Sequence, residues 1–300
     1  MIASTLPSIE LYNKEEPKLS HNSIIFASTS TRYFYPEHKT PNLFISNFLN
    51  KGSYVINKKR VNISDNFFYF LNANDDLEIC FSNALPLQTL LIFFEENFIN
   101  NCFSYHNSST EELLDSPIKC LSNDFRLPNV PFSFINSIKG KTLQLLQETH
   151  KEDIDALLFD IITEFLVLNN DTSKQIKKIA TAKKSTQEEL YRRLFLAKEM
   201  MDDNVFEKLS LEQIAQEVCL NKFHFLSNFK SLYGITPHQY FMELKLQKAF
   251  NLLQNRQYTV TETCFLMGFE SLGSFSNSFK KRFHLSPSVV FNQNKIPNFR

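Results

Sequence analysis

Up to about residue 135 the apolar residues come in short blocks separated by polar turns. Blocks at 23–28, 43–49, 53–57, 61–64, 67–71 and 87–94 are rich in Ile, Val, Phe, Tyr and Leu and have strand length. Asn50-Lys51-Gly52 is a turn signal, with Gly52 suited to positive φ, and a polar turn falls at Lys58-Lys59. Many short strands at this spacing predict a barrel or a sandwich. A short helix is expected over 95–101. From about Lys139 the period changes. Leu143, Leu146, Ile154, Leu157, Leu158, Ile161, Ile162, Phe165 and Leu166 recur at helical spacing, which predicts one or two amphipathic helices over 140–168. Their apolar stripe has two meanings: packing on the strands, or pairing with a second copy of the chain. Asn169 to Ser173 read as the end of this helix, and the polar stretch 169–185 as a linker.

The final third of the chain repeats itself. Ser210-Leu211-Glu212-Gln213-Ile214-Ala215, then Val218-Cys219-Leu220-Asn221, then a helix with Phe225 and Phe229, then Thr236-Pro237 form the first copy. Thr259-Val260-Thr261-Glu262-Thr263-Cys264, Met267-Gly268-Phe269, Phe275, Phe279 and Ser286-Pro287 form the second. Phe225 and Phe275, Phe229 and Phe279, and Pro237 and Pro287 each stand fifty positions apart; the earlier halves are offset by forty-nine, so the second turn is one residue longer. A repeat of this length is a duplicated supersecondary unit. A duplicated helix-turn-helix reads two neighbouring stretches of one DNA face. Capping boxes are expected at Thr186/Glu189, Ser210/Gln213, Thr236/Gln239 and Thr259/Glu262, with Pro237 and Pro287 at N1 and Gly234 and Gly268 at left-handed positions. The predicted helices are 187–201, 211–218, 222–233, 237–254, 260–267, 272–283 and a short one from 287.

In helix 222–233, Phe225, Phe229 and Leu232 form a buried stripe. Phe223, Ser227 and Lys230 face away from it, with Lys222 and Leu226 at the margins and His224 beside Phe223. In helix 272–283 the stripe is Phe275, Phe279 and Phe283. Ser271 at the helix entrance and Leu272, Gly273, Ser274, Asn277, Ser278 and Lys281 lie outside it. Small and polar outer residues let a helix sit close to base edges, and Lys230, Lys280, Lys281 and Arg282 would meet phosphates. Each lysine near a helix C-terminus also has a plain structural reading as a solvated charge favoured by the dipole. Phe223 and Leu226 could equally be interface hydrophobes of a helical bundle.

These residues carry a family resemblance. Leu211-x-x-Ile214-Ala215, Phe223-His224-Phe225-Leu226-x-x-Phe229-Lys230, Gly234-Ile235-Thr236-Pro237-His238-Gln239-Tyr240 and Gly268-Phe269-x-Ser271-Leu272-Gly273-Ser274-Phe275-Ser276-x-x-Phe279-Lys280 resemble the DNA-binding domain of the AraC/XylS transcriptional regulators, over about 190–291. The resemblance implies a seven-helix domain whose third and sixth helices enter successive major-groove segments, spaced by the connector 237–254. Two departures stand out: the family usually has Arg at the positions of Ser227 and Asn277. Arg is the commonest reader of guanine, whereas Asn suits adenine. Asn228 also replaces a usual apolar residue. The amino-terminal half is similar in outline to the cupin-like sensor domains often joined to this module, some of which dimerise and bind small effectors. The fold class is thus α+β: a cupin-like β-barrel or sandwich with amphipathic helices, then an all-α tandem helix-turn-helix domain. The expected organisation is a sensor and dimerisation domain at 1–168, a linker at 169–185, and a DNA-binding domain at 186–300 with units 211–233 and 260–283.

Composition narrows the reading further. With 31 Phe and no Trp, the cores should be built on phenylalanine. The formal net charge is zero, yet residues 185–300 hold 14 Lys+Arg against 11 Asp+Glu, a weak basic bias. The start lacks a basic segment followed by an apolar run, and no apolar stretch has bilayer-spanning length, so a cytoplasmic location without membrane contact is expected. Five scattered cysteines suggest free thiols in a reducing compartment. His21, His38, His106 and His150 are isolated and no His-x-His occurs, which argues against metal-dependent cupin chemistry. No cofactor and no catalytic constellation is expected. The leading expectation is a sequence-specific regulator bound to double-stranded DNA, with a homodimer through 154–165 and a small-molecule effector as further partners. A small-molecule-binding β-barrel protein, or an interaction scaffold whose helical domain does not bind DNA, are the alternatives.

Overall fold

Strand β8 (Asp75–Phe81) shows how the amino-terminal layers form: Asp75, Leu77, Ile79 and Phe81 are buried and alternate with half-buried neighbours. This period of two is that of a sheet packed on one face. The computed structural model describes residues 2–8, 19–81, 85–107, 126–181, 183–207 and 209–293. It divides into two units, Met1–Gln175 and Ile176–Arg300. In the first, β1 (Ile2–Ala3), β2 (Ser23–Thr29), β9 (Leu87–Phe94), β4 (Asn42–Leu49), β7 (Phe67–Leu71) and β10 (Pro131–Ser133) form one sheet in that order. Strands β3 (Tyr33–Thr40), β8, β5 (Gly52–Ile56) and β6 (Lys59–Ile63) form a second. Neighbours pair antiparallel except β1 with β2.

A buried polar cluster ties the two sheets together. The Asn47 side-chain nitrogen donates to the Ile63 carbonyl at 2.7 Å, while its oxygen accepts from Tyr54 Oη at 3.0 Å and Thr89 Oγ1 at 2.7 Å. Because these partners saturate one another, the cluster escapes the cost of lone buried polar groups. Gly52 serves this junction: a Cβ there would lie 2.8 Å from the Asn47 nitrogen and 2.9 Å from the Tyr54 ring. The positive φ of that turn belongs to Asn50 instead, a correction to the expectation for Gly52.

Helices α1 (Glu96–Asn107), α2 (Asn136–Leu145) and α3 (Lys151–Lys177) complete the first unit. Helix α1 extends well past the expected 101. The apolar stripe of α3 packs inside the chain. The Phe165 ring stacks on Phe70 at 4.8 Å and meets Phe132 edge-on at 4.9 Å, and Leu158 and Ile161 are fully buried. The side chains expected to form a homodimer through 154–165 are thus used within the chain, where Phe165 packs on the phenylalanines of the six-stranded sheet. Helix α3 also runs on through Asn169 and Ser173, where its end was expected, because Asn169, Thr172 and Ile176 keep its buried face continuous. After Lys177 the chain is held: Gln187 Nε2 donates to the carbonyls of Ile179 at 3.0 Å and Thr181 at 2.9 Å, and Ile179 is buried. The stretch 169–185 is thus mostly helix and pinned backbone.

In the second unit come α4 (Lys184–Asp203), α5 (Leu211–Glu217), α6 (Lys222–Tyr233), α7 (Pro237–Gln254), α8 (Val260–Leu266), α9 (Leu272–Phe283) and α10 (Pro287–Gln293). Three capping boxes stand as expected, at Ser210/Gln213, Thr236/Gln239 and Thr259/Glu262. The fourth does not. Helix α4 starts two residues before Thr186, after an uncapped Lys183, and Glu189 pairs with Arg192 and Arg193. Among the described residues no helix is long and apolar enough to cross a membrane.

Candidate DNA interface

Each repeat builds its outer helix on a phenylalanine ladder. Phe225 and Phe229 in α6 are fully buried with ring centroids 5.6 Å apart, and Phe229 also meets Tyr233 and Tyr240. Phe275 and Phe279 in α9 are likewise buried at 5.6 Å, within a core of Leu246, Ala249, Leu253, Cys264, Met267 and Val290. Between the two cores lies α7, which contacts α4, α6, α8, α9 and α10. Its 18 residues make a rod of about 27 Å.

The turns differ as the offset requires. Four residues separate α5 from α6 and five separate α8 from α9. The repeats also exchange their left-handed residues. Cys219 takes φ 54° in the first turn, where Gly268 takes φ 75° in the second; Gly234 ends α6 with φ 79°, while His284 ends α9 with φ 58°. The Cys219 carbonyl accepts from Arg193 Nη1 at 2.7 Å, which fixes this strained turn to α4.

Position by position, α6 and α9 bury the same residues. Phe225 and Phe229 answer to Phe275 and Phe279, and the first three positions of each helix are exposed. The expected outer residues divide into three groups. Phe223, His224, Ser227, Lys230, Leu272, Gly273, Ser274, Asn277, Lys280 and Lys281 are exposed, Phe223 by 77 %. Leu226 and Ser278 are half-buried. Ser271 is exposed but its hydroxyl caps α9, accepting from the Ser274 N–H at 3.2 Å, as Asn221 caps α6. Among the described residues, Ser227 and Asn277 make no side-chain hydrogen bond, and Lys230, Lys280 and Lys281 have no carboxylate partner. Gly273 is informative because nothing in the fold demands it. A Cβ there would meet no atom within 4 Å, and its φ is ordinary.

Two of the expected cations are already engaged. Lys222 pairs with Glu212 of α5, whose carboxyl is held below its usual range by that ammonium and a backbone N–H. Arg282 Nε bonds both oxygens of Glu243 in α7, at 2.7 and 2.6 Å.

Residues 214–293 match the helix-turn-helix domain family model. The probable transcriptional regulator LumQ of Photobacterium leiognathi is 24% identical over 264 residues, 85% of this chain and 90% of that one. The MmsAB operon regulatory protein of Pseudomonas aeruginosa is 36% identical over 89 residues, 30% of this chain and 29% of that one. The crystal structure of an AraC-type DNA-binding-domain regulator from Chromobacterium violaceum has 29% identity, with a TM-score of 0.33, over 35% of this chain and 95% of that one. This is an AraC-type DNA-binding domain. The chain that carries it is a DNA-binding transcription regulator.

Sequence patterns missed the acidic side of the AraC-type domain. Glu212 and Glu243 hold Lys222 and Arg282 across 10 and 39 residues of sequence, and only the folded chain brings them together. The polar Asn228 is explained locally: its Nδ2 donates to the His224 carbonyl one turn earlier at 2.8 Å. Cys80, Cys102, Cys219 and Cys264 are free thiols.

Proposed function

We propose that α6 and α9 enter successive major-groove segments on one face of the duplex, with α7 as the spacer. The observation that carries this reading is the matched exposure of the two helices, fifty residues apart, over a shared connector. A rod of about 27 Å suits two sites one DNA turn, about 34 Å, apart. Phe223, His224, Leu226 and Ser227 on α6, and Leu272, Gly273, Ser274, Asn277 and Ser278 on α9, then lie against base edges. Lys230, Lys280 and Lys281 meet phosphates, while Lys222 and Arg282 do so only by exchanging their carboxylate partners. Ser271 contributes through the cap that starts α9. The protein acts on DNA in the cytoplasm, by binding and not by catalysis, and residues 1–175 form the regulatory part on which an effector would act.

The salt dependence of binding tests the phosphate assignment. Each lost phosphate contact should lower the slope of log K against log salt by about 0.9. Lys230→Ala and Lys281→Ala are each expected to do so on every duplex sequence. Unchanged slopes in both would remove α6 and α9 C-termini from the backbone.

A further inference from the structure

The groups offered to the bases at the starts of the outer helices include no unpaired Arg or Lys. On α6, the residues exposed before and after the buried Phe225 are Phe223, with 77 % of its surface free, the imidazole of His224, the half-buried Leu226 and the hydroxyl of Ser227. On α9 they are Leu272, 41 % exposed, Gly273, the hydroxyl of Ser274 and the unengaged amide of Asn277. The N-terminal residues of a recognition helix are those that meet base edges. Apolar side chains there contact the thymine methyl, and an Asn amide makes a bidentate pair with adenine N6 and N7. Guanine is read by Arg or Lys through O6 and N7. The cation at the start of α6, Lys222, is paired with Glu212, and Arg282 is turned back onto Glu243. Lys230, Lys280 and Lys281 stand in the last turns, away from the base-reading ends.

We infer that both half-sites of the target duplex are specified as A·T base pairs: thymine methyls by Phe223 and Leu226 under α6, and adenine by Asn277 under α9. The inference rests on the two-groove reading and adds the base composition of the partner. The equivalence of position 223 to position 273 divides the labour. Phe223 extends a bulky apolar ring toward its half-site, whereas Gly273 lets the α9 backbone come close, so that Asn277 one turn on can reach a base edge.

Selection of the full-length chain on a randomised duplex pool of about 30 bp tests this. The expected result is enrichment of two A·T-rich segments about 10 bp apart. Phe223→Ala should lower preference in one segment and Asn277→Ala in the other, each by roughly tenfold at its own base pair. Both side chains are exposed, so the fold should survive both changes. A gain of function completes the test: Ser227→Arg should draw guanine into the segment that depends on Phe223. Enrichment of G·C-rich segments by the parent chain would overturn the inference. So would binding without any base preference, although DNA binding itself would then stand. Failure to retain any duplex would instead remove the two-groove reading beneath it.

Discussion

Thr263 sits in the core of the second repeat at the position that Ile214 fills in the first. It is fully buried, and its hydroxyl has no hydrogen-bond partner. Removing an unsatisfied buried hydroxyl at constant shape recovers its desolvation cost. Thr263→Val is therefore expected to stabilise the protein by about 1 kcal/mol in denaturant titration, with little change in DNA affinity. Gly273 should differ in its effect on binding. Replacing a helical Gly by Ala favours folding by about 0.5–1 kcal/mol, and here the new methyl meets open space. Gly273→Ala is expected to raise the melting temperature and weaken DNA binding together. A variant that is more stable and binds DNA unchanged would show that α9 does not approach the groove at that residue. Both residues were visible in the sequence, but only one had a readable role. The outward position of Gly273 follows from helical spacing to Phe275. The isolation of the Thr263 hydroxyl depends on neighbours from other elements, which spacing does not supply.

At the scale of elements, the repeat was legible because the chain states it twice. The boundaries of α6, α7 and α9 follow from Asn221, Thr236-Pro237, Gly234 and Ser271, each a local backbone solution. Strands β3 and β8 were not legible. Pro36 interrupts β3, which tolerates it as the edge of its sheet with a register shift between Tyr35 and His38. Strand β8 opens on Asp75, a residue that reads as a turn; in the fold it is buried and bonded by Arg126 and by the Asn72 N–H. Helix α3 shows a different limit. Its stripe was recognised, but spacing cannot say whether a sheet or a second chain covers it. Since Phe70, Phe132 and Phe68 cover Phe165, the expected effect of Phe165→Ala is a loss of about 3–5 kcal/mol in the stability of the first unit. Chemical denaturation followed by a probe in residues 1–175 measures this. A cost below about 1 kcal/mol, or a change in sedimentation without one, would return the stripe to an intermolecular role.

For the whole molecule, net charge was a poor guide and geometry a good one. The formal charge is zero, and even the DNA-binding part is only weakly basic. On the two outer helices, carboxylates at Glu212 and Glu243 neutralise Lys222 and Arg282, while Lys230, Lys280 and Lys281 have no carboxylate partner among the described residues. Affinity for DNA should therefore depend on a small number of phosphate contacts and fall less steeply with salt than in a strongly basic binder. Specificity then rests on where the two outer helices stand, which α7 sets. On this reading one chain spans two successive major-groove segments. Thymine-to-uracil and 7-deazaadenine interference, with hydroxyl-radical footprinting of the full-length protein on a selected duplex, measures this. Protection is expected over about 20 bp, with two major-groove contacts on one face, about 10 bp apart, and loss of one contact in Ser227→Ala and of the other in Asn277→Ala. Protection confined to a single helical turn, or two contacts that both vanish with either substitution, would contradict it.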